Sequence, residues 1–287
     1  MQGTQKAARL ISGVIFEKEH MIKSLEQYIA EVNKINENWN STDSTTHAWY
    51  RGQSDFLWDL EPSIYRENGT NDTERELIRD FKLNASRFIN HLPESDFGWL
   101  YFMQHYGVPT RLIDWTESYL VAIYFAVLNF NKDSDGVVWL IKPWSLNENN
   151  ISQQSVPVDS HPKLNEYLLN TDPERFERRV KGEYPVAIRP NRVSPRIIAQ
   201  KGVFTIHGCN TTPLNKLGNN KKGNAIVLEK IKICGKSKLK ILKELHMAGI
   251  SHSVLFPEME GLAKEISFRY SIEYLNSTNN SHHHKGF

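Results

Sequence analysis

His105, Arg111, Asp114, Trp115 and Thr116 place an imidazole, a guanidinium, a carboxylate, an indole and a hydroxyl within twelve positions. Gly107 and Pro109 break the apolar run before them, so the chain bends there. Leu120, Ala122, Ile123, Phe125 and Ala126 then recur at helical spacing. A polar bend between two buried helices suits a binding site, which needs few groups rigidly placed. The spacing predicts an Arg111–Asp114 pair, with Asp114 orienting Arg111, and gives Thr116 either a site role or a capping role. Further candidates stand elsewhere. Trp49-Tyr50-Arg51-Gly52-Gln53 reads as an aromatic strand ending at a glycine, with Arg51 where approach is unhindered. Gln200 leads a strand toward His207. Glu258 and Glu260 follow Pro257, where acids also suit a helix N-terminus.

The elements that must position these groups follow from periodicity. Ile22, Leu25, Ile29, Val32 and Ile35 form an amphipathic stripe. Thr73-Glu74-Arg75-Glu76 reads as a capping box opening a helix with Leu77, Phe81, Ala85 and Phe88. Gly136 to Ile141 reads as a buried strand. Residues 145–182 are polar and read as an insertion, with a helix capped at Asp172 and Pro173 in its first turn. Strands are expected over Tyr184–Ile188, Val203–His207, Ile226–Ile233 and Ser253–Phe256. Helices are expected from about Lys236 to Met247 and from Pro257 onward. The result is an α+β fold: a helix-rich first half and a small, mostly antiparallel mixed sheet. Residues 1–21 read as an extension, 22–275 as one domain and 276–287 as a disordered tail.

Bulk properties narrow the class. The 287 residues are 39% hydrophobic and 24% charged, ordinary for a globular protein. No run approaches the roughly 18 apolar residues of a spanning helix, and the N-terminus lacks a signal-peptide pattern. Cys209 and Cys234 make neither a disulfide framework nor a metal site, so a cytoplasmic setting is expected. His282, His283 and His284 are assigned no role. Lys216, Lys221, Lys222, Lys230, Lys232, Lys236, Lys238, Lys240 and Lys243, opposed locally only by Glu229, make a basic stretch able to hold RNA or DNA. Aromatic residues are sparse beside it in sequence, and a solvated edge strand guarded by lysine is the plainer alternative.

Four stretches together resemble the FRG domain: Trp49 to Gln53, Gln104 to Thr116, Gln200 to Phe204 and Phe256 to Leu262. The resemblance spans roughly residues 22 to 270 and departs from the family at Ser118-Tyr119, where a small residue and a proline are usual. Tyr50-Arg51-Gly52 on an early strand, and Thr116 ahead of Ala122, Phe125 and Ala126, are also similar to the first two motifs of ADP-ribosyltransferases. That likeness implies a split sheet and NAD as substrate. Arg51 would grip the dinucleotide, Thr116 and Trp115 would line the nicotinamide side, and Gln200 would hold the ribose. His105 is added as a candidate base, with Tyr50, Gly52, Gln53, Tyr106, Arg111 and Asp114 around the ligand. Gln200 stands where a transferase carries glutamate; an amide supplies no charge, and Asp114, Glu117, Glu258 or Glu260 is left to supply it from another direction. The implied role is modification of nucleic acid or protein, as a toxin or antiphage effector with an inhibitor protein. A non-catalytic nucleotide- or nucleic-acid-binding module is the alternative.

Overall fold

The computed structural model describes residues 21–39, 48–89, 91–151, 155–169, 180–192, 194–217 and 227–282. The N-terminal extension up to residue 20, the helix expected at Asp172, and Lys221 and Lys222 lie outside them. In chain order the elements are α1 (Leu25–Asn38), β1 (Trp49–Gln53), α2 (Ser63–Arg66), α3 (Asn71–Ala85), α4 (Asp96–His105) and β2 (Leu112–Thr116). Next come α5 (Tyr119–Val127), β3 (Gly136–Ile141), α6 (Pro143–Ile151), β4 (Val186–Ile188), α7 (Pro195–Ala199) and β5 (Gly202–Ile206). The chain continues through β6 (Leu228–Ile233), α8 (Lys238–Met247), α9 (His252–Leu255) and α10 (Met259–His282).

One six-stranded sheet runs in the order β4-β5-β2-β1-β3-β6, with every neighbouring pair antiparallel. This is the expected α+β class. Its seam is unusual. β1 pairs with β3 at five positions, and β2 with β5 at five, yet β1 and β2 are in register only at Tyr50↔Thr116. Beyond that pair the two halves of the sheet part.

Side-chain alternation explains what lies over the seam. Tyr50 and Val138 share a core with α1, α5 and α8. Leu112, Phe204 and Ile206 pack against α3 and α4 in another. The opposite face holds Trp49, Ile113, Trp115, Trp139 and Val203. Two helical layers thus cover the two half-sheets and leave the line between them open. Asp114 sits on that line and is the one exposed residue of β2.

Several expectations need correction. The polar bend leads into strand β2, not from one helix to another. Gly52 lies inside β1, whose register continues to Gln53↔Val137. The capping box joins Thr70 to Thr73, so α3 starts a few residues early. Ser253–Phe256 is not a strand: α9 occupies His252–Leu255, and the Glu265 carboxylate accepts from the His252 amide. The last helix begins at Met259 and its backbone runs to His282, past Asn276.

The expected Arg111–Asp114 pair does not form. Positions three apart on an extended chain point to opposite faces, and Arg111 turns into the core. There Arg111 Nε meets Glu74 Oε2 at 2.5 Å, its amide donates to Glu74 Oε1, and Nη1 and Nη2 donate to the carbonyls of His207 and Tyr167. Both side chains are fully buried. His207 is buried beside them, and burial, then the nearby Arg111 charge, lowers its pKa from 6.5 to about 3. Protonation therefore favours the unfolded chain. This contribution is complete above pH 6.5 and is lost as pH falls toward 3, by up to about 1.4 kcal/mol per pH unit. Urea unfolding at pH 7 and pH 5 is expected to give this slope, and His207→Gln to flatten it. An unchanged slope in the variant would refute the assignment.

Candidate functional site

The site is built around the seam. Register sets Arg51 opposite Trp139, so its side chain leaves β1 on the face opposite Asp114. Its Nη1 nevertheless donates to the Asp114 carbonyl at 2.7 Å and lies 3.7 Å from Asp114 Oδ2. The guanidinium thus threads the opening and satisfies a β2 carbonyl that β1 leaves unpaired. Arg51 is 18% exposed, and its Nε is buried without a hydrogen-bond partner. Burial pulls its pKa down, while Asp114 opposes the change.

Gln104, at the end of α4, completes the arrangement. Thr110 Oγ1 donates to Gln104 Oε1 at 2.6 Å, and Gln104 Nε2 donates to Asp114 Oδ2 at 2.9 Å. Thr110 is fully buried and its own amide donates to Ser63 Oγ. The next residue, His105, lies 3.9 Å from Glu258 and packs edge-on against Tyr106, which is 61% exposed. Burial, then Arg196, lowers the His105 pKa, with Glu258 opposing. Arg196 also donates to the His105 carbonyl and lies over the Phe256 ring.

The other expected site residues are placed as follows. Thr116 is buried; its hydroxyl donates to the Gln200 carbonyl and accepts from the Ser118 amide. The Gln200 side-chain amide donates to the Leu255 carbonyl. Thr116 and Gln200 therefore meet, but through groups that bond each other or the backbone. Trp115 is 3% exposed in the opposite core, with Nε1 on Thr205 Oγ1. Tyr50 is buried and bonds Asn36, and Gln53 accepts from Trp139 Nε1. Gly52 faces the α5 backbone. Glu260 is paired with Lys264. The seam thus gathers Arg51 and Asp114, with His105 and Tyr106 beside it, and leaves Trp115, Tyr50, Gln53 and Arg111 in core roles.

Gln104 and Thr110 were not among the candidates, because an amide and a hydroxyl six residues apart carry no distinctive pattern. A cavity of about 890 Å³ lies elsewhere, against Tyr65, Asn68, Asn71, Asp72, Arg75 and Cys209. At the seam the Asp114 side chain is exposed and that of Arg51 partly so.

The segment that builds this seam is recognisable by family. Residues 46–135 match the FRG domain. No curated protein and no solved structure matches the chain. The FRG match covers β1, α2 to α5 and β2, so Arg51, Gln104, Thr110 and Asp114 all fall inside it. Gln200 and the Phe256–Leu262 stretch lie beyond the matched residues.

The lysine stretch is less basic than its sequence suggests. Lys216 pairs with Asp59, Lys232 with Asp135 and Lys240 with Glu244, and Lys238 is buried on the Ser54 carbonyl. An aromatic does stand beside it: Lys230 and Lys232 each lie 4.5 Å from the Phe56 ring centroid. Among the described residues no helix is long and apolar enough to cross a membrane.

Proposed function

We propose that the β1–β2 seam binds NAD and that the protein is an ADP-ribosyltransferase-like enzyme acting on a nucleic acid or a protein, as a toxin or antiphage effector. One observation carries the reading: the Arg51 guanidinium stands in an opening of the central sheet, beside an exposed carboxylate. A planar cation with a spare donor suits a pyrophosphate or vicinal hydroxyls. Tyr106 offers an exposed ring for stacking. His105, with its lowered pKa, is neutral near pH 7 and able to accept a proton. Thr116 and Gln200 contribute by fixing β2 against the α7–β5 turn.

Incubation of the protein with labelled NAD and cell extract tests this. Label transfer by the wild type and at least a roughly tenfold loss in Arg51→Gln are expected, as when one charged hydrogen bond to the bound ligand is removed. No transfer by either protein, with salt-sensitive RNA or DNA binding by the wild type, would favour a non-catalytic module. The Phe56 ring between two lysines is the observation on that side.

A further inference from the structure

An ADP-ribosyl transfer needs negative charge facing the ribose, and Gln200 has none to give. Resting on the NAD reading above, we propose that Asp114 is the catalytic carboxylate and that Gln104, held by Thr110, is its positioning residue.

Three other carboxylates are held in ion pairs. Glu117 is held by Arg189 and Arg192, Glu260 by Lys264, and Glu265 by His246 and the His252 amide. Glu258, 3.9 Å from His105, precedes α10 and lies outside the sheet strands. Asp114 is different. It is on the open line of the sheet, its side chain is 55% exposed, and only Oδ2 has partners among the described residues. Oδ1 is free to face a ligand.

The orientation of the Gln104 amide follows from its two partners. The Asp114 carboxylate only accepts, so Gln104 turns Oε1 to the buried Thr110 hydroxyl, which donates to it, and presents Nε2 to Asp114 Oδ2. That bond holds the carboxylate to one rotamer without removing its charge. Arg51, at 3.7 Å, is too far for a hydrogen bond to it and remains available for the anionic part of the ligand.

The reaction breaks the bond between ribose C1′ and the nicotinamide nitrogen, and nicotinamide leaves neutral with the electron pair. The acceptor's lone pair forms the new bond to C1′, and the acceptor's proton passes to solvent. Asp114 faces the positive charge that develops on the ribose ring meanwhile.

Two readouts on the full chain test the assignment. In calorimetry, a protonated iminoribitol (a cationic ribose mimic) and its neutral tetrahydrofuran counterpart are titrated into wild type, Asp114→Asn and Gln104→Leu. The wild type is expected to prefer the cation by about tenfold, consistent with a partly solvated charge pair. Asp114→Asn is expected to lose that preference while binding NAD within about threefold of wild type. In steady-state nicotinamide release, Asp114→Asn is expected to lower kcat at least a hundredfold, on the order of other charge-stabilising groups. Gln104→Leu is expected to lower kcat about tenfold with KM within twofold, while calorimetry still shows one NAD bound per chain, a stoichiometry that a loss of folded protein would reduce. Equal cation preference in wild type and Asp114→Asn, or undiminished kcat, with NAD still bound, overturns the assignment. Failure of the wild type to bind NAD overturns the underlying reading instead.

Discussion

Replacing Gly52 by alanine is expected to destabilise the protein by about 3 kcal/mol or more, the upper range for overpacking. A Cβ there would overlap the Ala122 carbonyl oxygen and lie 2.7 Å from the Ala126 amide nitrogen. Both are backbone atoms of α5, so no rotamer change relieves the clash. The helix must lift off β1 and open the core that holds Tyr50, Ala122 and Ala126. The glycine after Arg51 thus serves close helix–sheet packing, and its small size lets the guanidinium be placed at the seam. Gly107→Ala is the control: its Cβ would meet nothing within 4 Å, although its φ of +80° still carries strain. That strain is worth on the order of 1 kcal/mol. Urea unfolding of both variants settles the comparison, and a Gly52→Ala cost no larger than the Gly107→Ala cost would refute the packing argument.

Glu74→Ala is expected to cost about 3–5 kcal/mol, because it leaves the Arg111 guanidinium buried without its counter-charge. Arg111 ties α3, the start of β2, the loop after β5 and the turn at Tyr167 through four donated bonds to Glu74, His207 and Tyr167. Its backbone carbonyl also receives the His207 amide. The pair's net worth is a separate matter from the cost of breaking it. A double variant, Glu74→Leu with Arg111→Met, is therefore expected to lose less than the two single changes added together. Strict additivity in that cycle would mean the two side chains are not coupled.

These two residues also mark what sequence can and cannot convey. Apolar periodicity located α1, α5, β3 and α8 closely, since a buried stripe is a local property. The aromatic-Arg-Gly strand and the Gln104–Thr116 stretch stood out because so many polar types crowd there, and the fold does bring Arg51 and Asp114 together. The partner of Arg111 was not. Glu74 lies thirty-seven positions earlier and looks like an ordinary acid in a first helical turn. Parity along the chain would have warned against Asp114, since Arg111 and Asp114 cannot share a face of one strand. The opposed lysines were hidden in the same way, because Asp59 and Asp135 come from loops far away in sequence. The Ser253–Phe256 segment carried β-compatible residues, but Glu265 on the following helix accepts from the His252 amide just ahead of it and holds a helical turn. Trp115 reads as a ligand-stacking residue until the register of β2 with β5 sends it to the opposite core.

The most direct test of the seam as a nucleotide site is calorimetric titration of NAD into the wild type and into Arg51→Gln, with circular dichroism confirming that both are folded. Saturable binding by the wild type, weakened at least tenfold in the variant, is the expected result, as loss of one charged hydrogen bond to a phosphate amounts to about 1.4 kcal/mol or more. Equal affinity in the two proteins, or no binding by either, would contradict it.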